Sequence, residues 1–134
     1  MFSIMLKSKL HMARVTHVMP EYEGSLTIDR DLMDAVKLLP YEKVLVSNMA
    51  NANRFETYAI PSKAGDGMIC LNGPAARLGA VGDRLVILAF GTVPTDEARQ
   101  HRPLVLVLDD RNKPTGPLRE TCCQAVLRST SSGA

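Results

Sequence analysis

Short apolar runs recur along the chain between residues 10 and 108. Gly, Pro, Asn or Asp bounds each run, which is typical of strands separated by turns. The pattern predicts strands at residues 10–18, 26–28, 43–48, 55–60, 68–71, 84–92 and 104–108. About seven short strands with few helices favour a mainly β fold, either a small barrel or a sandwich with short helices between strands.

One helix is predicted between the second and third of these strands. Asp29 or Asp31 can cap its N-terminus, and Pro40 is expected to end it. The apolar positions at helical spacing are Leu32, Val36 and Leu39. Shorter helical turns are predicted at residues 74–78, which begin with Pro74 and are followed by Gly79, and at residues 96–100, which come after Pro94.

Length and composition describe one folded domain. The 134 residues fit a single core, and 46% hydrophobic with 22% charged residues is ordinary for a globular protein. We assign the domain to residues 1–116 and a flexible tail to residues 117–134. No run approaches the roughly 18 apolar residues of a membrane span, and the N-terminus lacks the apolar run of a signal peptide. A cytoplasmic protein without membrane contact is therefore expected.

Charge and cysteine content narrow the ligand class. A net charge of +2 and 4% aromatic residues argue against nucleic-acid binding, so a small molecule is the better expectation. The three cysteines are an odd set, and the adjacent Cys122 and Cys123 could close only a strained ring. That favours a reducing compartment. The histidines and cysteines lack the close pairing of zinc ligands, so no metal site is expected, and a cysteine nucleophile near the C-terminus has no nearby His.

The segment Glu21-Tyr22-Glu23-Gly24-Ser25 lies between two predicted strands, and a Gly-Ser pair alone is an ordinary turn. Further segments match one family in order and spacing. They are Lys9-Leu10-His11, Val15-Thr16-His17, Ile28-Asp29, Asn53-Arg54-Phe55, Thr57-Tyr58-Ala59-Ile60, Asn72-Gly73, Val81-Gly82-Asp83, Pro94, Glu97-Ala98-Arg99 and Arg102-Pro103. Over about residues 1 to 110 the chain resembles the bacterial aspartate 1-decarboxylases.

The resemblance implies a double-psi β-barrel with short connecting helices, assembled as a homotetramer with active sites between neighbouring subunits. It implies decarboxylation of L-aspartate to β-alanine and CO₂ for pantothenate and coenzyme A synthesis. Some relatives need an accessory maturation protein, which makes such a factor a possible partner. A closely related acidic amino acid remains an alternative substrate.

In this family the precursor cleaves itself at the Gly-Ser bond, here Gly24-Ser25, giving chains 1–24 and 25–134. The Ser25 hydroxyl would attack the Gly24 carbonyl to form an ester. β-Elimination and hydrolysis would then convert residue 25 into a covalent pyruvoyl cofactor, with loss of ammonia. Gly24 suits a strained bond and leaves room for an oxyanion donor, and Thr57 matches the residue that assists this step.

The pyruvoyl group would condense with the aspartate amine to give an imine (Schiff base) and act as the electron sink when CO₂ departs. Consistent with this, the chain has no Gly-rich phosphate-binding motif. Tyr58 resembles the family proton donor, since a phenol can reprotonate a carbanion-like carbon. Without the resemblance, Tyr58 and Thr57 would read as ordinary strand residues.

Substrate binding is assigned to residues that match family positions. Arg54 is expected to hold the side-chain carboxylate by paired donors, because a tight grip on the departing carboxylate would slow its loss. Lys9 is expected to attract a dianionic substrate, and it ranks above the neighbouring His11; Tyr22 falls at the rim. The pocket stretch comprises Thr57, Asn72, Gly73, Pro74 and Ala75. Pro74 replaces a family alanine and has no N–H to donate.

Two other interpretations stay open. A small homo-oligomeric β-barrel could serve as a binding or regulatory module in which Gly24-Ser25 is only a turn, and fold alone would not refute this. The chain lacks the basic run that DNA binding would favour. A family member that has lost processing is the other possibility, yet Gly24, Ser25, Thr57 and Tyr58 are all present.

Overall fold

The computed structural model describes residues 1–121. Its strands are β1 (Phe2–Arg14), β2 (His17–Met19), β3 (Leu26–Asp29), β4 (Lys43–Asn48), β5 (Arg54–Ser62), β6 (Ile69–Asn72), β7 (Arg84–Pro94) and β8 (Leu104–Val107). Helix α1 (Arg30–Ala35) follows β3, and short 3₁₀ helices span Gly73–Arg77 and Thr95–Gln100. Both 3₁₀ helices lie where the prolines predicted helical turns.

The strands are hydrogen-bonded in the order β2-β6-β3-β5-β4-β7-β1-β8. Pairs β1-β8, β2-β6 and β3-β5 are parallel, and the other neighbours are antiparallel. The predicted mainly β class with short connecting helices is confirmed, and the strand order is compatible with the double-psi β-barrel that the resemblance implies. The order also places β3 between β5 and β6, so residue 25, which directly precedes β3, lies near both of these strands.

The core forms on one face of the sheet, because successive side chains of a strand point to opposite faces. Val44 and Val46 of β4 are buried, as are Leu85 and Ile87 of β7, while the residues between them are half-buried. Leu10 of β1 lies on the same inner face and is fully buried. The outer face of β1, β7, β4 and β5 therefore carries a separate set of side chains.

The predicted strand at residues 10–18 is wrong in both its start and its continuity. β1 begins at Phe2 and pairs along its length with β7, with an irregularity at Met12, whose φ is +68°. After Arg14 the chain changes partners: Val15 N–H donates to Asp83 and Thr16 N–H to Ile69, so a new strand, β2, continues beside β6. The first half of β1 was missed because the polar run Lys7-Ser8-Lys9 interrupts its apolar residues.

Helix α1 begins as predicted but ends earlier. The Asp29 carboxylate accepts from Asp31 N–H at 2.8 Å and caps the N-terminus. The helix ends at Ala35 because Lys37 takes a left-handed conformation, φ +57°, and Leu38 N–H donates to the Met33 carbonyl at 2.8 Å. The prediction that Pro40 ends the helix was therefore wrong.

The C-terminal part of the described chain still contacts the sheet. Arg119 and Val105 exchange backbone hydrogen bonds, and Leu108 bridges to Pro114. The boundary between a domain at 1–116 and a tail at 117–134 stays a prediction, and Cys122 and Cys123 lie outside the described residues. Within residues 1–121, no helix has the length and apolar character needed to cross a membrane.

Candidate active site

Ser25 directly precedes β3 and so lies between two neighbouring strands. Leu26, the first residue of β3, pairs with Ala59 of β5 on one side and with Leu71 of β6 on the other. Two predicted site residues are therefore level with Ser25. Tyr58 comes one residue before Ala59 on β5, and Asn72 comes one residue after Leu71 on β6. Asn72 N–H donates to the Ser25 carbonyl oxygen at 3.0 Å. The topology thus brings residues distant in sequence to residue 25.

Tyr58 contacts the loop on the other side of the Gly24-Ser25 bond. Its hydroxyl donates a hydrogen bond to the Glu23 carbonyl oxygen at 3.2 Å, and 38% of the residue is exposed. The phenol and the loop share a cavity of about 470 Å³. The residues that line it are Glu21, Tyr22, Glu23, Gly24, Tyr41, Tyr58 and Ile60. Space for a small molecule therefore exists beside the predicted cleavage bond.

Gly24 packs closely against β5. A Cβ at this position would overlap Ile60 Cδ1 and lie 3.0 Å from Tyr22 Cε1, so the Ile60 side chain would have to shift to accept it. Gly24 is not among the described residues with positive φ, so its constraint comes from this close approach and not from a left-handed backbone. The glycine lets the loop lie directly against the strand that carries Tyr58.

Asn72 presents its backbone to Ser25 because its side chain is held elsewhere. The side chain is buried; its Nδ2 donates to Thr27 Oγ1 at 2.8 Å and its Oδ1 accepts from Cys70 Sγ at 3.0 Å. Burial raises the pKa of the Cys70 thiol, so the sulfur keeps the proton it donates. This buried chain of polar groups fixes the strand end that contacts residue 25.

The stretch after Asn72 turns sharply under the loop. Gly73 has φ +58°, and a Cβ there would lie 3.5 Å from the Tyr22 carbonyl oxygen. Pro74 occupies the start of the 3₁₀ helix, and Ala75 is buried. Gly73 thus lies close to the loop, while Pro74 offers no backbone donor.

Thr57 and Tyr58 lie on opposite faces of β5. Thr57 pairs with the buried Val44 and is half-buried, whereas Tyr58 pairs with the exposed Lys43. Because neighbours along a strand alternate, the Thr57 side chain lies on the inner face of β5 and the Tyr58 side chain on the outer face.

Lys9 and Arg54 share the outer face with Tyr58 but lie apart from the loop. Strand pairing aligns Lys9 of β1 with Leu88 of β7, Leu45 of β4 and Glu56 of β5. Three spacings of about 4.8 Å between neighbouring strands therefore separate β1 from β5 by about 14 Å. Arg54 and Tyr58 are about 13 Å apart along β5. The Arg54 guanidinium donates to Ser47 Oγ at 2.8 Å. Within one chain, these two predicted substrate ligands are not gathered at Ser25.

His11 occupies the same outer row as Arg54, through Val86 and Ser47. Its pKa is lowered from the ordinary value of 6.5 by burial, and further by the charges of Lys9 and Arg119. Its Nδ1 atom is shielded from solvent and has no hydrogen-bond partner among the described residues. The positive charges of Lys9 and Arg119 therefore act on His11, and Arg54 lies in the same row of this face.

The other histidines are engaged separately. His17 Nδ1 lies 2.8 Å from Thr16 Oγ1, and His101 Nε2 lies 2.6 Å from the Leu6 carbonyl oxygen. Within residues 1–121, no three His, Cys, Asp or Glu side chains are grouped so that they could hold a metal ion. The arrangement beside Ser25 is built from a phenol, backbone amides and small residues.

A comparison with protein families identifies the family of this chain. The family model for aspartate decarboxylase matches residues 1–115. The chain belongs to the aspartate decarboxylase family. It is 52% identical over 111 residues to the aspartate 1-decarboxylase of Salinibacter ruber, covering 83% of this chain and 76% of the relative. It is 54% identical over 110 residues to that of Heliobacterium modesticaldum, covering 82% and 83%. The Bacillus subtilis enzyme is 50% identical over 113 residues, covering 84% and 89%.

Family membership confirms the resemblance found in the sequence. Of the residues that the resemblance named, the structure brings Tyr58 and Asn72 to the segment that contains Gly24 and Ser25, and it leaves Lys9 and Arg54 on the outer face. Sequence reasoning gave no role to Tyr41 or Cys70. Neither carries a local signal, because one contacts the site through a loop and the other through a buried side chain.

Proposed function

We propose that this chain removes the C1 carboxylate of L-aspartate, giving β-alanine and CO₂, with a pyruvoyl group formed from its own Ser25. Membership of the aspartate decarboxylase family supports the reaction. The observation that carries the proposal is the arrangement around the Gly24-Ser25 bond. The Tyr58 hydroxyl donates to the carbonyl of Glu23, the residue before Gly24, and Asn72 N–H donates to the carbonyl of Ser25.

Maturation begins with attack of Ser25 Oγ on the Gly24 carbonyl carbon. The C–N bond breaks, the amide nitrogen takes a proton, and an ester joins Gly24 to Ser25 Oγ. Loss of the Ser25 Cα proton expels the Gly24 carboxylate and leaves a dehydroalanine. Water then replaces its nitrogen, which leaves as ammonia, and chains 1–24 and 25–134 result. Every atom is supplied by the chain and by water.

In this proposal three groups assist maturation. Tyr58 holds the Glu23 carbonyl and thereby orients the peptide that leads into Gly24. Thr57 approaches from the opposite face of β5, where a hydroxyl suits the developing oxyanion. Gly24 packs against Ile60 without a side chain, so Ser25 Oγ can approach its carbonyl.

The residues present fit a pyruvoyl group at position 25. Ser25 supplies its carbon skeleton, and Asn72 N–H already donates to the carbonyl oxygen that would lie beside the ketone. The pyruvoyl group supplies an electron sink for decarboxylation. Asn72 N–H stabilises negative charge on that oxygen, and the Tyr58 hydroxyl delivers a proton to the carbon that loses CO₂.

Lys9 and Arg54 act in a site shared between subunits of a homotetramer. Their distance from Ser25 within one chain and their place on the same outer face support this assignment. In the assembly, Arg54 holds the side-chain carboxylate of aspartate through paired N–H donors. Lys9 attracts the dianion. Gly73 and Ala75 line the floor, and Pro74 shapes it without donating a hydrogen bond.

The product, β-alanine, serves pantothenate and coenzyme A synthesis in this proposal. Dependence on an accessory maturation protein and a cytoplasmic location stay predictions.

The activity is tested by incubating the purified chain with L-aspartate and following β-alanine and CO₂ by mass spectrometry. A matched Ser25→Ala chain keeps the fold and lacks the hydroxyl from which the pyruvoyl group forms. Product from the wild type and none from the variant is expected. Equal product from both chains would overturn the role of Ser25, and no product from a chain cleaved to the pyruvoyl form would overturn the proposed reaction.

A further inference from the structure

Tyr41 lies on the wall of the cavity beside the cleavage loop. Its ring centroid is 6.4 Å from that of Tyr58, and the two planes are inclined by 35°. Both rings line the same cavity as Gly24. Tyr41 is 79% exposed, so its ring contributes little to the core. The contact with Tyr58 is therefore a ring contact at the rim of the site.

The backbone of Tyr41 is unusual for a bulky residue. Its φ is +71°, in the left-handed region that glycine or asparagine adopts more easily. Such a conformation persists only where the surroundings fix it, and these residues cluster at functional sites. An ordinary turn at this position has no need of an aromatic ring.

Two hydrogen bonds fix the loop to the strand that carries Tyr58. Tyr41 N–H donates to the Ala59 carbonyl at 2.7 Å, and Ala59 N–H donates to the Glu42 carbonyl at 3.0 Å. The Glu42 carboxylate in turn accepts from Lys7 Nζ at 2.6 Å. Because Ala59 follows Tyr58 directly, these bonds hold the backbone of Tyr41 beside Tyr58, where the two rings are in contact.

Within the described part of the chain, the Tyr58 side chain has few other contacts that could restrain it. It is 38% exposed and its hydroxyl makes one long hydrogen bond, to Glu23, at 3.2 Å. That carbonyl belongs to the segment that leads into the cleavage bond, so its environment changes when the chain is cut. A ring contact survives the cut, because Tyr41 and Tyr58 both lie on the longer fragment.

We propose that Tyr41 is a positioning residue for Tyr58, whose ring it restrains so that the hydroxyl, bonded to Glu23 before cleavage, stays near residue 25 after it. The inference rests on the proposed function of Tyr58 as proton donor. The aromatic ring of Tyr41 restrains the Tyr58 ring, and the Tyr41 hydroxyl is not needed for this. An offset aromatic pair is strong enough to shift the populations of a partly exposed ring about 2- to 10-fold.

The test compares Tyr41→Phe, which keeps the ring, with Tyr41→Gly, which removes the ring and accepts positive φ without strain. Leu39→Ala is the control, since Leu39 is an exposed residue of the same loop outside the cavity. Turnover is measured per cleaved subunit, together with KM for aspartate and the melting temperature.

Tyr41→Phe and Leu39→Ala should match the wild type. Tyr41→Gly should lower kcat about 3- to 10-fold with KM changed less than twofold and a melting temperature equal to or above that of the wild type. Unchanged kcat in Tyr41→Gly overturns the proposal. So does an equal loss in Tyr41→Phe, and so does a melting temperature that falls together with kcat.

A second measurement does not depend on activity. Crystal structures of the uncleavable Ser25→Ala chain, with and without Tyr41→Gly, report the position of the Tyr58 hydroxyl. We expect one ordered ring bonded to Glu23 with Tyr41 present and two or more ring positions without it. A single unchanged ring position contradicts the role of Tyr41, whereas a wild-type chain that makes no β-alanine contradicts the proposed reaction alone.

Discussion

The Tyr58 hydroxyl donates to the Glu23 carbonyl oxygen at 3.2 Å, although the two residues are separated by 35 positions along the chain. The contact exists because parallel pairing of β3 with β5 brings the segment before Leu26 beside the segment before Ala59. It places a phenol, a weak acid with a proton to give, next to the Gly24-Ser25 bond. The proposed reaction depends on that phenol as its proton donor.

Replacing Tyr58 by Phe removes one oxygen and keeps the ring. Because a positioned general acid contributes about 10²- to 10⁴-fold, we expect kcat per cleaved subunit to fall by about that factor, with little change in KM. Steady-state kinetics on fully cleaved protein measures the effect. A Tyr58→Phe enzyme with wild-type kcat would remove Tyr58 from the reaction.

The packing of Gly24 predicts a pair of compensating changes. Gly24→Ala places a methyl group against Ile60 Cδ1, so cleavage should slow by at least about tenfold, which corresponds to 1.4 kcal/mol or more of barrier. Ile60→Val deletes that terminal carbon and should restore part of the rate in the double variant. The fraction of cleaved chain over time, read from a denaturing gel, gives both rates. Absence of any recovery would mean that the contact with Ile60 does not set the cleavage rate.

The separation of Arg54 from Ser25 predicts complementation between chains. Ser25→Ala and Arg54→Ala proteins should each be nearly inactive, yet subunits unfolded together and refolded as mixed oligomers should recover activity. Recovery follows because one shared site then contains an intact Ser25 from one subunit and an intact Arg54 from another. Each variant refolded alone is the control. If mixing restores nothing, both residues act within one chain.

Burial and nearby positive charges predict how His11 titrates. Burial, and then Lys9 and Arg119, lower its pKa, so its NMR midpoint should lie below 6.5. Since the unfolded chain binds this proton first as pH falls, His11 makes the free energy of unfolding rise with pH between its folded pKa and about 6.5, and that stability is lost as pH falls through this window. Succinate, a dicarboxylate without an amine, should raise the midpoint. A midpoint at or above 6.5 without succinate would contradict the lowered pKa.

Much of the fold follows from local sequence signals. Strands β3 to β8 lie close to apolar runs bounded by turn residues, and Asp29 caps α1 as its position predicts. The end of α1 was not predictable, because a lysine in the left-handed region, Lys37, leaves no signature in the sequence. The first half of β1 was missed because Lys7 looks solvated, whereas its ammonium pairs with Glu42 from a distant loop.

The candidate site, like the fold, could be predicted from the sequence only in part. The resemblance named Ser25, Tyr58 and Asn72, but the sequence alone could not show that β3 separates β5 from β6 and so places residue 25 between the other two. Tyr41 is positioned by a backbone hydrogen bond to Ala59, and no side-chain motif in the sequence predicts such a bond. Long-range strand order, not local pattern, assembles this site.

The most direct test of the account is the intact mass of the purified, denatured chain after warm incubation, beside a Ser25→Ala control. We expect fragments 1–24 and 25–134, with the larger one lighter by one ammonia than simple hydrolysis would give, and an uncut control. A wild-type chain that stays whole even after addition of cell extract, which would supply any maturation protein, would contradict it.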